Sequence, residues 1–416
     1  MINELMSKLM SKRIPQIENY MRHPIEVQDE LLMGLIDSAK NTIWGRYYDY
    51  KSITSWQDFA QRVPINDYNS LLPFFDRIRK GEDNVLWASQ IKWFSKSSGT
   101  TSTKSKFIPV SEECLNDCNN HPDTKVFSGM NLALGGSRQE NEYNNDIFCG
   151  DVSAILIDNL PFWAELYRVP KKEIALMPEW ESKLEKMVSS VISSNVVSLS
   201  GVPSWMMVLL KKVEEQTGKT IGEIWQNIEV YFHGGVSFAP YRKQFEQMLP
   251  DKMNYMETYN ASEGFFGLQD DPADPSMSLM LDYGVFYEFI PMDQLESPSP
   301  DVLPIWEVET GRNYAMLITT SSGLWRYMIG DTVRFTSRDP YKFVITGRTR
   351  FFINAFGEEL IVDNAEKGLA EACAATGAQV LEYTAAPVYM DAAGKCRHQW
   401  LVEFSQEPAD LQEFAR

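Results

Sequence analysis

Apolar residues recur at three- and four-residue steps through Leu31–Trp44 and again around Trp56–Val63, which predicts a mainly helical region over residues 1–90. The first 23 residues mix charges with Leu, Met and Ile at helical spacing. They predict an amphipathic helix and lack the unbroken apolar centre of a secretion signal. From residue 147 the pattern changes. Short apolar runs at Val152–Ile157, Asn195–Leu199 and Ile228–Phe232 read as strands. Between the last two, Pro203–Thr217 reads as an amphipathic helix with Trp205, Val208, Leu209 and Val213 on one side. This alternation predicts an α/β sheet whose ligands sit beyond the carboxyl ends of its strands. Residues 276–345 carry β-rich runs separated by turns, at Met277–Leu281, Val285–Pro291, Ala315–Thr319 and Lys342–Thr346, and predict antiparallel pairing.

A boundary is expected at Gly347-Arg348-Thr349-Arg350. Beyond it, Phe351–Asn354, the turn Phe356–Glu359, the helix Val362–Thr376 and the strands Gln379–Ala385 and Gln399–Phe404 predict a smaller α/β unit. A helix starting at Pro408 stops at Arg416, so this last domain is expected to be incomplete.

The net charge of −18 argues against a nucleic-acid-binding surface, though a locally basic nucleotide site remains compatible with it. Five cysteines, an odd number, point to a reducing compartment and a cytoplasmic location. No run of eighteen apolar residues exists, so no membrane span is expected. Cys114, Cys118 and His121 share helical spacing but lack a fourth metal ligand, which favours packing or surface roles. No G-x-S-x-G elbow accompanies the four histidines.

Chemistry concentrates in a few stretches. Seven of the ten residues Ser97-Ser98-Gly99-Thr100-Thr101-Ser102-Thr103-Lys104-Ser105-Lys106 are Ser or Thr, flanked by Trp93, Phe94, Phe107, Ile108 and Val110. This reads as strand, hydroxyl-rich turn, strand. It offers N–H groups, hydroxyls and lysines to an anion, although an ordinary polar hairpin is equally open on this segment alone. It is not a G-x-x-x-x-G-K-[ST] loop. Ser111 before Glu112 and Glu113 reads as a helix N-cap. After the third strand, His233-Gly234-Gly235 lets backbone approach a flat ligand closely. Further on stand Thr258-Tyr259-Asn260-Ala261-Ser262-Glu263-Gly264 and Arg326-Tyr327-Met328-Ile329-Gly330-Asp331.

The order and content of Ser97–Thr101 through Lys106, Tyr259–Glu263 and Tyr327–Asp331 resemble the adenylate-forming superfamily. Within it they resemble the GH3 family of acyl acid–amido synthetases. Gly201-Val202-Pro203-Ser204-Trp205 and Asn354-Ala355-Phe356-Gly357-Glu358-Glu359 look like its bacterial branch. The resemblance spans about residues 20–416. It implies an α/β fold with a large N-terminal adenylate-forming domain, residues 1–346, combining mixed sheets, flanking helices and a β-barrel-like part. A small α+β C-terminal lid, residues 347–416, would swing between two half-reactions. It also implies ATP and Mg²⁺, a small carboxylic acid substrate and an amino acid acceptor, with nucleic acid and membrane excluded as partners and the oligomeric state left open.

By the same resemblance, Ser97, Ser98, Gly99, Thr100, Thr101 and Lys106 would wrap the β- and γ-phosphates, with Ser98 and Lys106 catalytic. Glu263 would hold Mg²⁺ and be catalytic, since that ion prefers one or two carboxylates plus phosphate and water. Thr258 and Ser262 would reach the α-phosphate, and Tyr259 would stack on adenine opposite Gly234 and Gly235. Asp331 would accept the ribose hydroxyls and the hinge residue Arg348 would touch ribose or phosphate. Trp205, Leu209 and His233 would line the acyl pocket. The chain departs from the family at Ser102 and Thr103, where glycines are usual, and at Met328, where an Arg is common. The lysine that aids adenylation in relatives is expected beyond Arg416. Two other readings stay open: an acyl-CoA ligase sharing the adenylate step, and a nucleotide-binding protein that has lost turnover.

Overall fold

The computed structural model describes residues 13–97, 106–118, 128–141, 143–144, 146–349, 362–388 and 397–416. Its first strands, β1 (Trp93–Ser97) and β2 (Lys106–Val110), pair antiparallel, as the apolar flanks of the hydroxyl-rich segment predict. With β4 (Arg138–Glu140) and β5 (Phe148–Gly150) they form a four-stranded sheet, while β3 (Met130–Ala133) and β6 (Arg168–Val169) open a larger one. That sheet continues through β7 (Val196–Gly201), β8 (Val230–His233), β9 (Asn254–Ala261), β10 (Gly264–Gln269), β11 (Met277–Leu279) and β12 (Val285–Pro291). It is completed by β13 (Leu303–Pro304), β14 (Asn313–Thr320), β15 (Tyr327–Arg338) and β16 (Tyr341–Arg348). The order is β13-β12-β14-β15-β16-β11-β10-β9-β8-β7-β3-β6. From β6 to β9 all pairs are parallel, and from β9 to β13 all are antiparallel. The part expected to resemble a barrel is this antiparallel half.

Helices cover both halves. The predicted N-terminal helix is present as α1 (Ile14–Arg22), with residues 1–12 outside the described residues; α2 (Pro24–Ala39), α3 (Trp56–Arg62) and α4 (Tyr68–Arg79) follow. They are stapled to the antiparallel half by buried polar groups. The Gln28 amide donates to the carbonyls of Leu281 and Val285. Arg326 donates through Nε to Glu288 and through Nη1 to the carbonyls of Ala60 and Val63. A fully enclosed cation is tolerable because each partner is satisfied. The next helix, α5 (Glu112–Cys118), starts where Ser111 accepts from Cys114 N–H, the cap read from sequence.

One reading is corrected here. Val152–Ile157, expected as a strand, lies in helix α6 (Val152–Asp158). The apolar run is buried on one helical side, with Ala154, Ile155 and Ile157 inside. After α7 (Trp180–Val191), helix α8 (Pro203–Thr217) appears with its predicted bounds and rotated from the predicted face. Its buried stripe is Met206, Leu209, Leu210 and Val213, a 3.6-residue period that leaves Trp205 and Val208 on the outer flank. Helix α9 (Ala239–Met248) follows β8.

The C-terminal unit comprises α10 (Val362–Thr376), the antiparallel pair β17 (Gln379–Val388) and β18 (Arg397–Gln406), and α11 (Leu411–Phe414). Leu369, Cys373, Ala378 and Val380 form its own small core. The predicted Phe351–Asn354 and Phe356–Glu359 elements lie outside the described residues.

Candidate functional site

A cleft of about 1930 Å³ opens at the carboxyl ends of β7, β8 and β9, where the sheet changes from parallel to antiparallel, and the C-terminal unit lies over it. Two strand ends form one wall. A Cβ on Gly234 would lie 2.3 Å from the Thr258 carbonyl oxygen, so only glycine lets β8 and β9 end so close together. Gly235 follows at φ +84°, and the Thr258 hydroxyl donates to the His233 carbonyl.

Opposite stands Asp331. Its neighbour Gly330, at φ +93°, sits in a bulge of β15 where Ile329–Asp331 face Met316 alone. The bulge turns the carboxylate toward the cleft. Oδ1 accepts from Arg348 Nε at 2.8 Å, directly across the β15–β16 pair, and Oδ2 accepts from the Tyr259 hydroxyl at 2.6 Å. Tyr259 lines the cleft but is only 5% exposed, with its ring against Phe266 and Phe343. Tyr259, expected to stack on adenine, thus reaches the cleft with little exposed surface, and its hydroxyl holds Asp331.

Glu263 occupies the two-residue turn between β9 and β10 and is 8% exposed. Burial first, then the charge of Asp331, push its carboxyl up to about 7, against the pull of Lys106 and Arg348. Lys106 begins β2, and its ammonium sits 5.8 Å from the ring of Tyr68, whose hydroxyl accepts from Phe107 N–H. Asp67, Tyr68 and Asn69, at the start of α4, thereby join the rim. A carboxyl that burial and the neighbouring Asp331 charge push upward fits a divalent cation arriving with phosphate oxygens. Among the described residues no group of three or more His, Cys, Asp or Glu is arranged to hold a metal.

The cleft thus gathers Lys106, Gly234, Gly235, Thr258, Tyr259, Ser262, Glu263, Asp331 and Arg348. Ser97 closes β1, and Ser98, Gly99, Thr100 and Thr101 lie outside the described residues. Of the acyl candidates, Trp205 and His233 line the cleft. Leu209 is fully buried in the core between helices and parallel sheet and is not part of the lining. His233 is 3% exposed, its ring stacked on Phe238 at 4.0 Å, and neither nitrogen has a hydrogen-bond partner among the described residues. Burial, then Arg242, lower its pKa to about 3, so it is neutral at any physiological pH.

Sequence reasoning missed the apolar lobe formed by Val152, Leu156 and Ile157 of α6 with Leu160 and Trp163. The available signal was Asp151 ahead of the run, and it is faint because its carboxylate accepts from Ser137 N–H instead of capping the helix. Also missed were Glu257 of β9 and Glu366, Lys367 and Tyr383 from the C-terminal unit.

The chain matches models described as the GH3 family N-terminal domain, over residues 13–137 and 122–253, and the GH3 family central domain, over 278–348. It is 22% identical to indole-3-acetic acid-amido synthetase GH3.2 of Arabidopsis thaliana, covering 92% of this chain and 85% of that protein. It is 23% identical to jasmonoyl--L-amino acid synthetase JAR6 of Nicotiana attenuata, covering 78% and 68%. Among solved structures it resembles the GH3.15 acyl acid amido synthetase, with TM-score 0.76, 16% identity and 94% and 81% coverage. It also resembles a 2-hydroxyisobutyryl-CoA ligase in complex with 2-HIB-AMP and CoA, with TM-score 0.56, 12% identity and 92% and 83% coverage. At these identities the structural likeness speaks to the fold.

Proposed function

Because the chain belongs to the GH3 family, we propose that it is an ATP-dependent acid–amino acid ligase acting through an acyl-adenylate. A small carboxylic acid attacks the α-phosphorus of ATP, the bond to the β-phosphate oxygen breaks and pyrophosphate leaves. The amino group of an amino acid then attacks the acyl carbon, loses a proton and releases AMP. The observation that carries this reading is the convergence of the Tyr259–Asp331–Arg348 bonds and the Glu263–Lys106 pair of charges on one cleft at the switch of the sheet.

The chain's own groups divide the work. Asp331, with one lone pair of each oxygen already taken, presents the others to the ribose hydroxyls. Gly234 and Gly235 give adenine a side-chain-free wall. Lys106 and the Ser97–Thr101 segment hold the β- and γ-phosphates, Thr258 and Ser262 approach the α-phosphate, and Arg348 adds positive charge beside the ribose. Fixed donors of this kind stabilise charge as it moves onto phosphoryl oxygens. Glu263 is the residue that would hold Mg²⁺, which would supply charge neutralisation to the phosphates. The acid lies in the apolar lobe, against Trp205 and α6, with neutral His233 as a donor or acceptor at its edge. Leu209 supports that wall from within the core.

Residues 1–346 then form the nucleotide- and acyl-binding domain and 347–416 the lid, hinged at Arg348. The segments Gly201–Trp205 and 354–359 support placement in the bacterial branch, and the odd number of cysteines, five, supports a cytoplasmic location. No helix among the described residues is long and apolar enough to cross a membrane.

The test is pyrophosphate release from ATP with a panel of carboxylic acids, followed by AMP release and product mass with amino acids or CoA. Acid-dependent pyrophosphate release and an amide product are expected. A thioester formed only with CoA, or ATP binding without turnover, would replace this reading with one of the two rivals.

A further inference from the structure

Lys106 opens β2 on the rim of the cleft, and among the described residues its ammonium takes part in no hydrogen bond and no ion pair. What it does meet is the ring of Tyr68, 5.8 Å from the centroid. A lysine stem is long and flexible, so an ammonium without an anchor samples many rotamers. A carboxylate at this place would hold it and cancel its charge. The negative face of an aromatic ring holds it and leaves the charge, with all three donors, to a ligand.

Tyr68 is itself fixed from several directions. It is the first residue of α4, whose cap Asp67 accepts from Ser70 N–H. The preceding Asn66 is bonded to the start of β15, its N–H donating to the Arg326 carbonyl and its carbonyl accepting from Met328 N–H. The Tyr68 ring lies 5.7 Å from that of Phe75, and its hydroxyl accepts from Phe107 N–H at 3.0 Å. Because β2 is the edge strand of its sheet, this hydroxyl stands where a neighbouring strand would otherwise be, at the residue next to Lys106. At the other end of α4 the Arg79 guanidinium lies over the Phe107 ring, 4.2 Å from its centroid. One helix therefore grips Phe107 by backbone and by side chain, and offers Lys106 a ring.

We propose that Tyr68 is a positioning residue for Lys106. Its ring confines the ammonium to the cleft without neutralising it, and its hydroxyl sets the strand from which that lysine springs. This rests on the nucleotide reading above, in which Lys106 holds the β- and γ-phosphates. The consequence is selective: the ring matters to a ligand that carries those phosphates and not to one that ends at the α-phosphate.

The test compares Tyr68→Leu, Tyr68→Phe, Lys106→Met and the double variant Tyr68→Leu/Lys106→Met with the unsubstituted full chain. Affinities for Mg·ATP and for AMP are measured by calorimetry, alongside melting temperatures. Tyr68→Leu should bind ATP about fivefold more weakly and AMP as tightly as the parent, the loss expected from one cation–ring contact. Tyr68→Phe keeps the ring and should keep the parent's ratio of ATP to AMP affinity within about twofold. In the Lys106→Met background the Tyr68→Leu change should cost no further ATP affinity, because the two residues act as one. Tyr68→Met, which keeps bulk without a ring face, replaces Tyr68→Leu if the latter does not fold. An ATP to AMP ratio in the ring-less variant equal to the parent's overturns the proposal. So does an equal loss for both nucleotides, which would make Tyr68 merely structural, or an undiminished effect when Lys106 is already gone. If the unsubstituted protein binds neither nucleotide, the nucleotide reading itself falls and takes this proposal with it.

Discussion

Asp331 illustrates how a single side chain is aimed by its neighbours. Tyr259 and Arg348 bond different oxygens of the carboxylate, so its plane is defined before any ligand arrives. Asp331→Asn keeps the shape and loses the charge, and its amide nitrogen must then face one of two donors. ATP binding should weaken by about 1.5–3 kcal/mol, the range for a charged hydrogen bond, as measured by calorimetry. Unaltered affinity would reduce Asp331 to a brace for β16. Glu263 makes a second prediction with a definite sign. Its folded pKa, about 7, lies above the ordinary glutamate value of 4.5, so the folded protein holds a proton that the unfolded chain releases. Its contribution to stability is complete below about pH 4.5 and is lost as pH rises through about 7. Glu263→Gln should therefore be more stable than the parent at pH 8, by on the order of 3 kcal/mol at most, and should lose Mg²⁺-dependent pyrophosphate release. Equal melting curves at pH 8 would contradict the burial argument. The identity of these two acids was legible because each sits in a short local motif. The role of Tyr259 was not: a tyrosine at a strand end has the same letters whether its ring faces a ligand or Phe266 and Phe343.

Two glycines show why local elements matter as much as the side chains they carry. At Gly234 the limit is space, because a Cβ would meet the Thr258 carbonyl at 2.3 Å and force β8 from β9. At Gly330 the limit is backbone, because φ is +93° while the nearest atom to a Cβ is Thr349 Oγ1 at 3.8 Å. Gly330→Ala should cost about 1–2 kcal/mol from left-handed backbone alone. It should also weaken ATP binding, because relaxing the bulge moves Asp331. Gly234→Ala should separate the two strand ends and cost more. Melting temperature and ATP affinity, measured on both variants, distinguish the cases; a Gly330→Ala variant with native affinity would show that the bulge does not aim the acid. The glycine pair was readable as a place of close backbone approach, whereas the bulge depends on a register shift against β14 that no local pattern reveals. Helix α6 failed for a related reason. Val152-Ser153-Ala154-Ile155-Leu156-Ile157 is rich in β-formers, and its burial against β1 and β5, with Ile155 beside Val110 and Leu115, decides the conformation that propensity left open.

At the scale of the whole molecule the unresolved question is what sets the seat of the C-terminal unit on the cleft. Tyr241 of α9 donates to the Leu381 carbonyl of β17, and α10 packs against α9 and β16. Into this seam points the charge of Glu257, a residue of β9 that pairs with His233 across the sheet. Burial, and then Glu366 of α10, raise its pKa to about 7, with Arg242 of α9 opposing. The motifs could be ordered along the chain because each is local, but this pairing joins two distant segments and neither acid looks unusual in sequence. The consequence has a sign. Below about pH 6 Glu257 is mostly protonated and the seam is relieved of like-charge repulsion. As pH rises through about 7 the proton leaves, a negative charge faces Glu366, and the seated arrangement loses about 1.4 kcal/mol for each pKa unit separating seated and lifted states. Hydrogen exchange in α10, corrected for intrinsic rates, should therefore accelerate between pH 6 and pH 8. In Glu257→Gln that acceleration should disappear while exchange in the buried parallel strands stays as in the parent. An identical pH response in parent and variant would mean that Glu257 does not govern how the unit sits, and that the backbone contact from Tyr241 and the packing of α10 hold it without help from charge.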